Sequence, residues 1–363
     1  MEKEAKLNKK IEEIREILEK YNNPIYFFDN DVDGLAAFLL LRKWSGKGKA
    51  VAIKSFPELN PSYARKISEL HGDCVFILDK PRVSNEFLEK AKEQNVRVVW
   101  IDHHLDNPGF KEKKDDWIFF NPTLEFSINR PVTYWAYKII GGQKQYQWLL
   151  ALGCLADWYL PQEISELYKS YENLFEIKPE KSEKVGKILY ETTFGKIILM
   201  LNFGLKDTTT NILKLTKFLT EINSPQAILE ESNKNKTMHK KFKQIYKRYQ
   251  NLLEKAKKFA KQDLLWFQYG GSLSISAELS NALIYLYPEK LVVVAYIKDE
   301  KARISVRSST NIREIVLKAL EGLEGASGGG HEMALGANVR VEDLPSFRER
   351  LEKLWKELKK KVK

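Results

Sequence analysis

Residues 97–104 read RVVWIDHH, in which four consecutive apolar residues run straight into Asp102, His103 and His104. A short unbroken apolar run of this kind suits a strand buried on both faces, where no polar alternation is expected. Before it lie the helix-like "SNEFLEKAKEQNV" (84–96) and a second apolar run, "DCVFILDKP" (73–81), with Asp79 at its end. The pattern continues backwards to the N-terminal helix through "NPSYARKISELHG" (60–72), the strand "AVAIKSF" (50–56) and the helix "LAAFLLLRKW" (35–44), which Gly46 and Gly48 break. It begins at "NPIYFFDNDVDG" (23–34), a turn and short strand ending in acidic residues. This βαβαβαβ alternation with brief loops predicts a parallel sheet covered by helices. Such open sheets bind ligands at the carboxyl ends of their strands. The acidic cluster, Asp79 and the histidine pair all sit at such ends.

Downstream, residues 131–158 and 160–230 read as largely helical, with Asp157 inside "ALGCLADW" (151–158). Residues 231–262 carry eleven Lys/Arg against two Glu and read as a long basic connector helix or helix pair. "LLWFQYGG" (264–271) opens a second unit, and 282–309 read as further strands with a turn near Lys298 to Lys301. A helix follows at 311–323, then a glycine-rich loop at 328–340 leading into a helix or strand, then a basic helix at 348–363. The expected architecture is α/β, with a parallel-sheet domain over 1–230, a helical connector over 231–262 and a smaller α/β domain over 263–363.

A chain of 363 residues exceeds the usual single core, which also favours two domains. Its 43% hydrophobic and 30% charged residues fit a folded protein rather than a disordered one. No apolar run approaches the roughly 18–20 residues of a membrane span, and the charged N-terminus has no signal-peptide core. Cys74 and Cys154, in apolar contexts and with no CxxC spacing, read as ordinary buried thiols. Cytoplasmic residence is the expectation. The net charge of +11 is compatible with a nucleic-acid partner, although lysine-rich surfaces are common in proteins that bind none.

Asp29, Asp31 and Asp33, followed by Gly34, alternate directly after an apolar strand. Such carboxylates repel one another unless a cation offsets them, and hard divalent metals favour oxygen ligands. The pattern is equally that of an acidic turn before a helix N-terminus, where aspartates are favoured. It is not a calcium loop, whose twelfth position is glutamate; counting from Asp29, that place is Leu40. Asp79 alone is an ordinary strand-end aspartate, and Asp102, His103 and His104 alone could be an exposed polar turn. As a set they supply oxygens and imidazoles, with Asp102 able to orient a ring and Asp157 costly to bury unless it is paired or bound to metal. Two cations ~3.5–4 Å apart, sharing a bridging carboxylate, would activate water and stabilise a leaving oxygen.

In the second unit, Gly328, Gly329 and Gly330 offer successive backbone N–H groups, a candidate phosphate nest, with His331 beside them. Arg307 ends the strand "ISVRSS" next to Ser308 and Ser309 and suits bidentate phosphate recognition. Met333 and Leu335 are expected in the local core. The aromatic residues Phe126, Tyr134, Trp135 and Trp158 could stack bases or simply pack.

Taken in order, "DNDVDG", Asp79, "DHH" at 102–104, Asp157, "VRSS" and "GGGHEMALG" resemble the motifs of the DHH phosphoesterase superfamily, specifically the RecJ-like single-strand nucleases and their archaeal relatives. The resemblance implies a DHH catalytic domain, a substrate-binding C-terminal domain and two manganese ions, with magnesium an alternative. It implies that Asp79 bridges the ions, with Asp33, His103 and Asp157 completing one site and Asp31, helped by Asp29, the other. His104 would then contact the scissile phosphate, and Arg307 and His331 the substrate. Implied partners are single-stranded DNA or RNA, or short oligonucleotides, and a replication or repair helicase. Nanoribonucleases, nucleotide phosphatases, cyclic-dinucleotide phosphodiesterases and inactive helicase-bound scaffolds belong to the same superfamily. Small archaeal members favour a 3′→5′ direction, and the lysine and isoleucine content fits such a source. The chain departs from the pattern in having lysine after Asp79 ("DKP") and in lacking the large extra modules of bacterial RecJ.

Overall fold

The computed structural model describes residues 2–55, 58–105, 117–179 and 185–362. The tail of the opening motif, residues 106–109, lies outside these. The chain divides into two units, Met1–Lys243 and Gln244–Lys363.

In the first unit β1 (Pro24–Asp29), β2 (Lys49–Ile53), β3 (Cys74–Leu78), β4 (Arg97–Ile101) and β5 (Trp117–Phe120) form one sheet in the order β2-β1-β3-β4-β5. All pairs are parallel. The fifth strand, four residues of "WIFF", is additional to the four read from the sequence. Register levels the ends: Phe28 pairs with Leu78, Leu78 with Ile101, and Ile101 with Phe120. The next residues are Asp29, Asp79, Asp102 and Asn121, so four polar residues stand in a row along the carboxyl edge. The chain leaves β1 for β2 on one side and returns to β3 on the other, so the row crosses the point where strand order reverses.

Both faces of this sheet are covered. Ile25, Phe27, Val75, Ile77 and Trp100 pack with Ile67, Phe87 and Leu88 on one side. On the other, Tyr26, Phe28 and Phe76 meet the helix Val32–Ser45, with the Phe28 and Phe38 rings stacked 5.4 Å apart. That helix is buried from Val32 to Leu41, which is why its sequence is apolar all round rather than striped. Each aromatic ring so buried contributes roughly 2–3 kcal/mol relative to exposure. Among the described residues no single helix is long and apolar enough to cross a membrane.

The second unit holds β6 (Leu264–Gly270), β7 (Leu291–Lys298), β8 (Lys301–Arg307), β9 (Ser327–His331) and β10 (Ala334–Arg340), ordered β6-β7-β8-β10-β9. Only β6 and β7 are parallel. Leu291, Val293, Ile304, Val306, Leu335 and Val339 face the helices Arg313–Leu320 and Leu344–Val362. Three expectations are corrected. Residues 282–286 belong to the helix Ser276–Leu286, whose buried Leu279, Ala282 and Leu283 follow helical spacing; the apolar run "ALIYLY" hid a period that starts upstream. Gly328–Gly330 form edge strand β9, paired with β10, rather than a loop. Met333 is 52% exposed, outside the core that Leu335 joins.

The basic segment contains one helix, Lys236–Lys257. Met238, Phe242, Ile245, Tyr249 and Ala256 are buried along it, so its lysines belong to an amphipathic helix with one apolar stripe.

Candidate metal centre

The edge row becomes a site because each carboxylate is held by a different local device. Asp31 caps the helix Val32–Ser45, accepting from Gly34 N at 2.9 Å. A Cβ on Gly34 would stand 2.7 Å from the Asp29 carbonyl oxygen, so glycine there lets helix and strand end approach. Asp33, in the first turn of the same helix, accepts from Val132 N and Thr133 N, both at 2.8 Å. These are amides at the start of the helix Val132–Ile139, whose positive end favours the anion. Asp79 has left-handed backbone (φ 61°) and is 2% exposed. Holding a non-glycine residue there costs of order 1–3 kcal/mol, a strain typical of functional positions.

Around Asp79 the other groups converge. His103 Nε2 lies 3.4 Å from Asp79 Oδ1 and 3.8 Å from Asp157 Oδ2, and His104 Nδ1 lies 3.8 Å from Asp79 Oδ1. Asp33, Asp79 and His103 each offer a ligand atom within 4.8 Å of the others, and so do Asp79, Asp102 and His104. Asp79 is common to both groups, and its buried Oδ1 has no hydrogen-bond partner among the described residues. Asp157 ends the helix Gln147–Ala156. The residue types, their convergence and the unsatisfied carboxylate oxygen fit a hard or borderline divalent cation.

Charge crowding points the same way. Burial, with the charges of Asp33, Asp31, Asp157 and Asp29, raises the Asp79 carboxyl well above the usual range. Asp31 is an exposed residue, but the protein atoms crowded round its carboxyl and the charges of Asp29 and Asp33 push it up to about 7. Carboxylates raised by burial and by one another's charge are those a cation relieves.

Asp102 plays a different part. Fully buried, it accepts from His104 Nδ1 (2.8 Å), His104 N (3.1 Å) and Asn121 Nδ2 (3.2 Å). Burial disfavours a charged His104 ring, but the Asp102 charge and hydrogen bond outweigh it and push the ring up to about 9. A carboxylate only accepts, so Nδ1 carries a proton and Nε2 is the atom left to meet a ligand.

Asn121 went unread in the sequence, and Lys80 was read only as a departure from the motif. Asn121 also donates to the His104 carbonyl at 2.9 Å, and its own Oδ1 accepts from Leu124 N. The signal was present as "NP" after an apolar run, an N-cap followed by proline at the first helical position, but it needed β5 to place it. Lys80 is 1% exposed and donates from Nζ to Asp29 Oδ1 and to the Ser55 carbonyl, both at 3.0 Å.

In the second unit Ala334 pairs with Arg307 on one side and His331 on the other, which sets these two residues in one row across β8, β10 and β9. Arg307 donates to Asn281 Oδ1 at 2.6 Å and to the Val306 and Leu335 carbonyls. Ser308 is buried, with Oγ 3.1 Å from Thr310 Oγ1. Gly330 accepts from Arg313. Pairing with β10 turns the backbone N–H groups of Gly328–Gly330 alternately to either side, where a nest would have aimed successive ones at a single anion.

The sequence matches the DHH family, N-terminal domain, over residues 25–153 and the DHHA1 domain over residues 249–357. No curated protein sequence matches it. Among solved structures, RecJ in complex with Mn2+ from Thermus thermophilus is similar at 15% identity and a TM-score of 0.69, covering 95% of this chain and 54% of that one. A second exonuclease RecJ, bound to manganese, is similar at 17% identity and a TM-score of 0.60, covering 95% and 94%. CDC45 from Entamoeba histolytica follows at 10% identity and a TM-score of 0.51, covering 94% and 98%. These are likenesses of fold, and the chain spans about half the length of the Thermus RecJ. With both domain matches in their expected order on a RecJ-like fold, the chain belongs to the DHH family, a DHH domain followed by a DHHA1 domain.

Proposed function

We propose that this chain is a manganese-dependent exonuclease that hydrolyses phosphodiester bonds of single-stranded DNA or RNA, working from the 3′ end. The observation that carries the reading is Asp79 Oδ1, buried without a hydrogen-bond partner among the described residues, with Asp79, Asp33 and His103 offering ligand atoms within 4.8 Å of one another. Asp33, Asp79, His103 and Asp157 would hold one ion, and Asp31 with Asp29 the other, with Asp79 between them. When bound, divalent ions make a water acidic enough to act as nucleophile near neutral pH and offset charge on the leaving oxygen.

The chain's own residues supply the rest. His104, aimed by Asp102 and Asn121 and favoured in its charged form in the metal-free protein, would donate from Nε2 to a phosphate oxygen. Trp158, next to Asp157, is 40% exposed with φ 57°; a large ring kept outward on strained backbone suits base stacking. Arg307, Ser308, Gly328–Gly330 and His331 are read as the substrate-binding set of the second domain, with the edge strand β9 in place of a nest. The +11 charge supports a polyanionic substrate. Manganese is the metal in the two RecJ structures named above, which supports it here, and magnesium, present in another RecJ structure from Thermus thermophilus, is the alternative. The free buried thiols Cys74 and Cys154 suit a reducing compartment such as the cytoplasm.

The test is digestion of end-labelled DNA and RNA of graded length with Mn2+. Stepwise release of mononucleotides from the 3′ end of long single strands supports the reading. Activity confined to oligomers of a few residues would make the chain a nanoribonuclease or small-nucleotide phosphodiesterase. No cleavage of any length by metal-loaded protein would favour a non-catalytic scaffold in a replication or repair complex.

A further inference from the structure

A lysine is buried against the carboxylate cluster, and the chemistry above does not use it. Lys80 directly follows Asp79, and its side chain is 2% exposed where it meets Asp29, which is 28% exposed. The Trp100 indole N–H donates to the Lys80 carbonyl at 2.8 Å, and the ammonium reaches both Asp29 and the Ser55 carbonyl. Backbone and side chain are thus both tied down. A buried ammonium persists only where it is paired and hydrogen-bonded. Its partner is a carboxylate whose charge is felt by both Asp31 and Asp79.

We propose that Lys80 is a built-in counter-cation that makes the two halves of the metal centre unequal. This rests on the metal-centre reading above. On the buried Asp33–Asp79–His103 side, ligand atoms converge. On the Asp29–Asp31 side one carboxylate oxygen already holds an ammonium, which both occupies the ligand and repels an incoming dication. The first side therefore takes its ion tightly. The second fills weakly until a substrate phosphate adds negative charge beside it, so ion and substrate arrive together. Partial exposure of Asp29 screens the repulsion, which leaves a difference of about tenfold or more between the two affinities. The rival role, a clamp that merely orients Asp29 for the metal, has the opposite sign.

The experiment is a titration of the metal-stripped full chain with Mn2+ alone, followed by calorimetry and by electron paramagnetic resonance. Wild type should bind one ion tightly and a second about tenfold or more weakly. In Lys80→Met the second ion should tighten by about tenfold or more, the first should stay unchanged, and a spin-coupled pair should appear at two equivalents. Lys80→Gln, which keeps a donor without the charge, should behave likewise and serves if the methionine variant fails to fold. Two equal affinities in wild type would overturn the proposal while leaving the nuclease reading intact. A second ion unchanged or weakened in both variants would do the same. No Mn2+ binding by wild type would overturn both.

Discussion

Replacing Asp102 with asparagine removes one charge while nearly preserving shape, and its effect should be visible on His104. In the metal-free protein the ring is pushed from 6.5 up to about 9, against the cost of burial, by the Asp102 charge and hydrogen bond, with smaller help from Asp157 and Asp29. A shift of that size corresponds to about 3 kcal/mol of stability. The sign follows from the raised pKa. This stabilisation is fully present below the unfolded value of 6.5, declines above it and is gone once pH passes about 9. Asp102→Asn should therefore lower the ring to its ordinary value or below, as followed by NMR of the imidazole. In urea unfolding of metal-free protein, the stability gap between wild type and variant should shrink by about 3 kcal/mol between pH 6 and pH 10. A gap that stays constant over that range would refute the assignment of Asp102 as the group that holds His104 charged.

Other outcomes follow from the same geometry. Because Asp79 is raised well above 3.8, it costs the metal-free protein stability as pH rises from that value; Asp79→Asn should melt higher than wild type at pH 7–8 without metal and lose the Mn2+-induced rise in Tm. The stabilisation behind that rise should reach about 3 kcal/mol in wild type at Mn2+ one hundred times its Kd. Gly34→Ala drives a methyl to within 2.7 Å of the Asp29 carbonyl oxygen and should cost about 1–3 kcal/mol in denaturant unfolding, with weakened Mn2+ binding. Trp158→Gly relieves backbone strain at φ 57° but gives up the ring contact with Tyr190, so stability should move by no more than about 1 kcal/mol, while KM for single strands rises roughly five- to hundredfold through lost stacking.

Much of the first unit was legible because its strands are short apolar runs ending in charge. Asp29, Asp79 and Asp102 could be placed at strand ends without knowing strand order, and order turned them into one row. What stayed hidden depended on long-range contact. The anchoring of Asp33 by Val132 N and Thr133 N joins residues about one hundred positions apart, and no local pattern marks it. Lys80 was visible as a departure from the motif, but its burial against Asp29 was not. Asn121 needed the fifth strand, which four residues after a charged stretch did not announce. In the second unit, glycines read as a loop became an edge strand because β10 supplies the pairing partner, which sequence propensity alone does not contain.

The central claim is that the Asp33–Asp79–His103 convergence is a metal centre. Anomalous diffraction at the manganese absorption edge, from crystals of the full chain soaked in Mn2+, tests it most directly. The account predicts the strongest peak at coordinating distance from Asp79, Asp33 and His103. A fully soaked crystal with no peak at Asp79, or with its strongest peak elsewhere, would contradict it.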